Sequence, residues 1–170
     1  LAEALFFITS AGLTGSDAMD VLKASAKAAA AGLGETKSVA DALTSAMNAY
    51  ASSGLSAETA TDVLVATVRE GKLEASELAG AIGQVLAVAE NAGVRFDEVG
   101  ASVAALTRVG IGTSEAVTGL RAVLSALVRE SKEGAEILDG MGTSFDELRQ
   151  SIKERGLLAT LVDLRGRIGN

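Results

Sequence analysis

An all-α fold follows from three features of this 170-residue sequence: it has no proline, its apolar residues are mainly Ala, Leu and Val, and its glycines recur about every twenty positions. Without proline, nothing removes a backbone N–H or fixes φ inside an element. Hydrophobic residues make up 48% but aromatics only 3%, a composition of good helix formers and thin core residues. Gly12, Gly32, Gly54, Gly71, Gly93 and Gly110 stand 20, 22, 17, 22 and 17 apart. Each follows a helical pattern and is expected to close its helix in the left-handed region. The intervals predict helices of roughly 14 to 18 residues joined by short turns.

The helices can be placed in order. Polar N-caps are expected at Thr14 or Ser16, Ser38, Ser56, and Thr113 or Ser114. Val39, Leu43, Met47 and Tyr50 lie at i, i+4, i+8 and i+11, with Ala46 on the same stripe. Leu78, Ile82, Val85, Leu86 and Ala89 form the next stripe, and Phe96, Val99, Val103 and Leu106 another. Val117, Leu120, Leu124, Leu127 and Val128 complete the series. Three hairpins are predicted, two within Ser16 to Asn91 and a third from Phe96 to Ser131. A less regular stretch follows, with short helices near Phe145 to Arg155 and Leu157 to Arg167, the first opened by the capping-box pattern Ser144-Phe-Asp-Glu147.

The segments repeat one another. Val39-Ala-Asp-Ala-Leu43 through Ser53-Gly54-Leu55 matches Leu78-Ala-Gly-Ala-Ile82 through Ala92-Gly93-Val94, a shift of 39. Ser76-Glu77 through Val85-Leu86 matches Ser114-Glu115 through Val123-Leu124, a shift of 38. Gly32-Leu33-Gly34 returns as Gly110-Ile111-Gly112, two such periods on, and Gly12-Leu13 with Asp20-Val21-Leu22 returns as Gly54-Leu55 with Asp62-Val63-Leu64. A unit of about 40 residues with two helices predicts stacked helical hairpins, an α-solenoid-like all-α fold with no β-sheet. The expected division is a repeated helical-hairpin core at 1–131 and an irregular helical extension at 132–170. Stripes of Ala, Val and Leu bury little area per helix, so stability is expected to be marginal and rearrangement into longer helices easy. A start at Leu1 rather than Met reads as an excerpt of a longer protein.

Several functions are disfavoured. The net charge of −7 and pI near 4.7 repel a phosphate backbone, so autonomous DNA or RNA binding is not expected. There is no Cys and no His, which removes thiolate chemistry, zinc motifs, Ser-His-Asp triads and the usual imidazole base. No Ser-x-x-Lys and no phosphate loop occur, and Gly110-Ile-Gly112 lacks the third glycine of a dinucleotide fingerprint. Glu74 with Glu77, Glu133 with Glu136, and Asp146 with Glu147 are the carboxylate pairs open to acid–base work. Sugar cleavage would set such a pair across an aromatic-lined cleft, and the chain has one Tyr, four Phe and no Trp; these acids read as solvated faces and helix N-terminal charges. Lys23 and Lys27 make a two-lysine face beside Ala28 to Ala31, a weak lipid-facing signal, and Arg121 and Arg129 read as ordinary surface. No uninterrupted apolar run of 18 residues exists. No catalytic, cofactor-binding or metal-ligating residue is expected, and no enzyme activity.

Residues 91–121 carry a family likeness. Gly93-Val94 opens a helix, Leu106 leads to Gly110-Ile111, Ser114 and Ala116 follow, and the block closes on Gly119-Leu120-Arg121. This pattern resembles the core of the tape measure, or minor tail, proteins of long-tailed phages. Leu78 to Glu90, Gly54-Leu55-Ser56, Gly142-Thr-Ser-Phe145 and Gly156-Leu157-Leu158 are similar to that family as well. The resemblance implies a virion structural protein present in several copies in the tail lumen, after assembly in the host cytoplasm. Its length would set tail length, the tail tube would polymerise around it, and it would leave ahead of the DNA. Implied partners are the tail tube protein, tail assembly chaperones, baseplate or tail-tip proteins, other copies of itself and, during DNA delivery, the host inner membrane. Two alternatives from other classes are an α-solenoid adaptor binding proteins on a concave face and a pore-forming helical protein.

Overall fold

The computed structural model describes residues 1–168; Gly169 and Asn170, the end of the predicted extension, lie outside the described residues. Eleven α-helices occur among the described residues. They are α1 (Ala2–Ser10), α2 (Gly15–Ala30), α3 (Thr36–Ala49), α4 (Ala57–Glu70), α5 (Ala75–Ala81), α6 (Gly83–Asn91), α7 (Phe96–Arg108), α8 (Thr113–Val128), α9 (Lys132–Gly140), α10 (Phe145–Arg155) and α11 (Leu157–Ile168), with a 3-10 turn at Ala51–Ser53. No strand occurs among them, and the chain is all-α.

One backbone device ends most of these helices. At six turns a glycine lies at φ between +68° and +98°, and the next residue's N–H donates to the carbonyl five positions back. Leu33 N–H reaches Ala28 O at 3.0 Å, Val94 reaches Ala89 O at 2.9 Å and Ile111 reaches Leu106 O at 3.2 Å. This is the 6→1 bond of a Schellman ending, which satisfies carbonyls the helix leaves unpaired. Leu33 and Val94 are themselves buried, so those two turns also pin an apolar residue into the core.

Gly71 departs from the expected pattern. Its φ of −88° and ψ of 173° are extended, open to any residue. Glycine is required there by space: a Cβ would stand 2.9 Å from Leu73 Cδ2, Thr107 Oγ1 and the Thr67 carbonyl.

The expected caps divide. Ser56 and Ser144 are N-caps and accept from Thr59 N and Glu147 N at 3.1 and 3.2 Å. Thr14 is the N-cap of α2, without a side-chain cap bond. Ser38 is not a cap: α3 starts from Glu35, because the left-handed turn at Gly34 (φ +107°) has already released the chain into extended geometry. Thr113 and Ser114 likewise lie inside α8, whose N-cap is Gly112. The stripe Leu78 to Ala89 is buried as expected, yet it is carried on two helices, broken at Ile82 between Gly80 and Gly83. Val128, placed on the apolar stripe of α8, is 38% exposed at that helix's last position. Helix α9 adds to the two short helices expected in the C-terminal stretch.

The helices pack in a regular sense. Helix α2 lies against α3 and α4, and α4 against α7; α1 lies against α3, α3 against α5 and α6, and both of these against α8. The core between them holds Ile8, Val21, Val39, Leu43, Leu64, Leu78, Val85, Leu86 and Leu124, each nearly or wholly buried. Alanine and glycine let backbones approach. A Cβ on Gly100 of α7 would fall 3.0 Å from Val63 Cγ1 of α4 and still nearer Thr67 Oγ1. Polar residues enter this core by bonding their own helix: Ser25 to Val21 O (2.7 Å), Thr44 to Ala40 O (2.8 Å) and Thr67 to Val63 O (2.8 Å). No buried side-chain N or O among the described residues lacks a hydrogen-bond partner.

Candidate interaction surfaces

Of the carboxylates singled out in the sequence, Glu77 and Asp146 have structural partners. Glu77 of α5 accepts the Ser114 N–H at 3.3 Å and the Ser114 hydroxyl at 3.1 Å. Hydrogen bonds from Thr113 and Ser114 hold its carboxyl below the usual carboxylate range. It therefore caps the start of α8 from a neighbouring helix, where the macrodipole favours negative charge. Asp146 pairs with Arg149, which also reaches Glu130 at 2.7 Å. Glu133 and Glu136 are exposed on α9, as are Lys23 and Lys27 on α2 and Arg121 on α8; Arg129, just past α8, is exposed too. Gly110 to Gly112 forms a Schellman turn and the N-cap of α8.

A broad cleft of about 1140 Å³ opens between the turn after α3, the α6–α7 turn and α10. Its floor is an aromatic pair, Tyr50 and Phe96, with centroids 5.8 Å apart and planes at 59°. The Tyr50 hydroxyl donates to Val94 O at 2.9 Å. Burial, and then the negative charges of Glu90, Glu98 and Asp97, push its ionisation well above the usual tyrosine range. A neutral, fully engaged hydroxyl joins two turns and is poorly suited to proton transfer near neutral pH. The cleft rim mixes Glu90, Asp97 and Glu147 with Arg95 and Lys153, without a dominant sign of charge.

Apolar surface remains at both ends of the helix order. Leu1 and Phe6 are about three-quarters exposed, at the start of the chain and on α1, and Met19 of α2 is also exposed. On α11, Leu158, Leu161, Val162 and Ile168 are exposed at i, i+3, i+4 and i+10, an apolar stripe that adjoins the face carrying buried Leu157 and Thr160. That spacing is legible in the sequence; which of the two faces would be covered is not. No helix among the described residues is long and apolar enough to cross a membrane, and no cluster of three or more His, Cys, Asp or Glu suited to a metal occurs among them.

Comparison with known proteins agrees with the resemblance seen in the residues. A family described as phage-related minor tail protein matches residues 1–170. A protein of Pneumococcus phage Dp-1 named "Tape measure protein" is 27% identical over 144 residues, which is 85% of this chain and 12% of that protein. The chain thus spans about one-eighth of the length of that relative. No solved structure matches.

Proposed function

Because the chain belongs to the phage-related minor tail protein family, and so serves as a structural component of a phage tail, we propose that it is a length-setting segment of a tail tape measure. The observation that carries this reading is the family match across all 170 residues. The fold is consistent with a ruler. We read the molecule as repeating units of about 40 residues, with α2, α4 and α7 as one row and α1, α3, α5–α6 and α8 as the other, since packing runs along each row and across it. Residues 1–131 are the repeated core and 132–170 its irregular extension.

A helical repeat is a good ruler because each unit adds a fixed increment of length. The Schellman turns make that increment adjustable. Glycine passes from left-handed to right-handed helical geometry at little cost, so a hairpin opened inside the tube becomes continuous helix at ~1.5 Å per residue. We infer that the stacked hairpins are the form outside the tube and the extended helices the form within it. The partners in this reading are the tail tube protein, assembly chaperones, tail-tip or baseplate proteins and further copies of the chain, with contact at the host inner membrane on delivery. The segment does its work without catalysis.

Mass spectrometry of purified tails tests the placement. Peptides from 57–128 are expected in intact particles and lost from tails that have ejected their DNA. Their absence from intact tails would remove the segment from the virion and with it this function.

A further inference from the structure

One carboxylate ties the C-terminal hairpin, α10–α11, to the first turn of α7. Glu98, in the first turn of α7, accepts the Arg95 N–H on Oε2 at 3.2 Å and the Leu157 N–H on Oε1 at 2.7 Å. The same side chain therefore caps two helices, its own and α11, 59 residues away. It is 14% exposed, and Arg95 Nη1 lies 3.8 Å from Oε2. Gly156 closes over it with φ +89°; a Cβ there would collide with Oε1.

Within α10–α11 the helices are stitched to each other. Ser151 Oγ and Thr160 Oγ1 are 2.8 Å apart, Thr160 Oγ1 donates to Gly156 O at 2.9 Å, and Arg155 bridges Ser151 and Asp163. Outward, Arg167 of α11 donates to Met141 O and Gly142 O in the α9–α10 turn at 3.4 and 2.8 Å. Arg149 donates to Leu127 O at 3.3 Å and pairs with the exposed Glu130, a surface bridge of small worth. Helix α10 packs on α8, and Ile152 and Leu157 are buried in the hydrophobic core.

We propose that α10–α11 is a cap that opens as one unit from the α8 end of the stack, and that Glu98 is its latch. Closed, the cap covers the face of α8 that α10 packs on, near Leu127; open, it frees that face while α1–α7 stay folded. A hairpin stitched within itself and held outward by partly exposed arginines and the Glu98 bond is the kind of segment that opens below the global unfolding free energy. The inference rests on contacts within this chain and is independent of the proposed role in the tail.

Amide hydrogen exchange on the whole chain tests it. Glu98→Ala is expected to lower protection across residues 145–168 and around Leu120 to Leu127 by about 10- to 100-fold, the loss of a charged hydrogen bond, with amides of α2–α4 changed less than twofold. Gly156→Ala, which presses on the latch from the α11 side, should loosen the same amides. Glu98→Gln, which keeps an acceptor oxygen, should fall between and serves as the readout if the alanine variant does not fold. Equal loss of protection over α2–α8, or no change in 145–168, would overturn the latch.

Discussion

At Gly100 and Gly119 the same substitution meets opposite surroundings. Both are helical, so alanine gains up to ~1 kcal/mol of propensity at each. At Gly119 of α8 nothing lies within 4 Å of the new methyl group, and Gly119→Ala is expected to stabilise by about 0.5–1 kcal/mol. At Gly100 the methyl group would collide with Thr67 and Val63 across the α4–α7 contact, and Gly100→Ala is expected to destabilise by about 1–3 kcal/mol. Urea denaturation of the two variants measures both signs. Tyr50 offers a second test, since it is the sole tyrosine in a chain without tryptophan. Its folded-state ionisation lies above the unfolded value of about 10. The sign is therefore that stability is intact below pH 10 and falls as pH rises past it, because only the unfolded chain releases the proton. Tyrosinate absorbance should appear together with loss of helical ellipticity, and Tyr50→Phe should shift that alkaline transition upward while costing about 1 kcal/mol at neutral pH. Neither Tyr50–Val94 nor Glu98–Leu157 was legible in the residues. They join positions 44 and 59 apart, and periodicity within a helix carries no information on which turn meets which.

Helices were legible because two signals agreed: apolar stripes at helical spacing and a glycine after most of them. The caps were less so, for a physical reason. Ser38 has the right chemistry three residues too late, after Gly34 has turned the chain and Glu35 has become the N-cap. Ser56→Ala is accordingly expected to cost about 1 kcal/mol through its lost bond to Thr59 N, whereas Ser38→Ala inside α3 should change stability by less than about 0.5 kcal/mol. Thermal melts of the two variants check the contrast. The break at Ile82 escaped the stripe because Leu78, Ile82, Val85 and Leu86 remain buried on both sides of it. A fixed buried face is compatible with one helix or two, and only the low helix propensity of Gly80 and Gly83 hinted at the division. Glu77 shows why an acid near another acid is weak grounds for chemistry: its partners are the hydroxyls at the start of α8.

At the scale of the whole molecule, the all-α class and the tail-protein family were visible in composition, glycine spacing and the Gly93–Arg121 block. The two-helix unit of about 40 residues is an expectation from the sequence period, and the bond from Glu98 to Leu157 was not anticipated at all, since no residue type announces it. What the molecule does with these units depends on whether they are stretched. An in-frame deletion of residues 32–109, 78 positions, in the parent gene, followed by electron microscopy of the tails, decides this. A ruler of extended helix predicts tails shorter by roughly 115 Å, at ~1.5 Å per residue. Tails of unchanged length, or shorter by only the ~20 Å of two stacked helix layers, would contradict it.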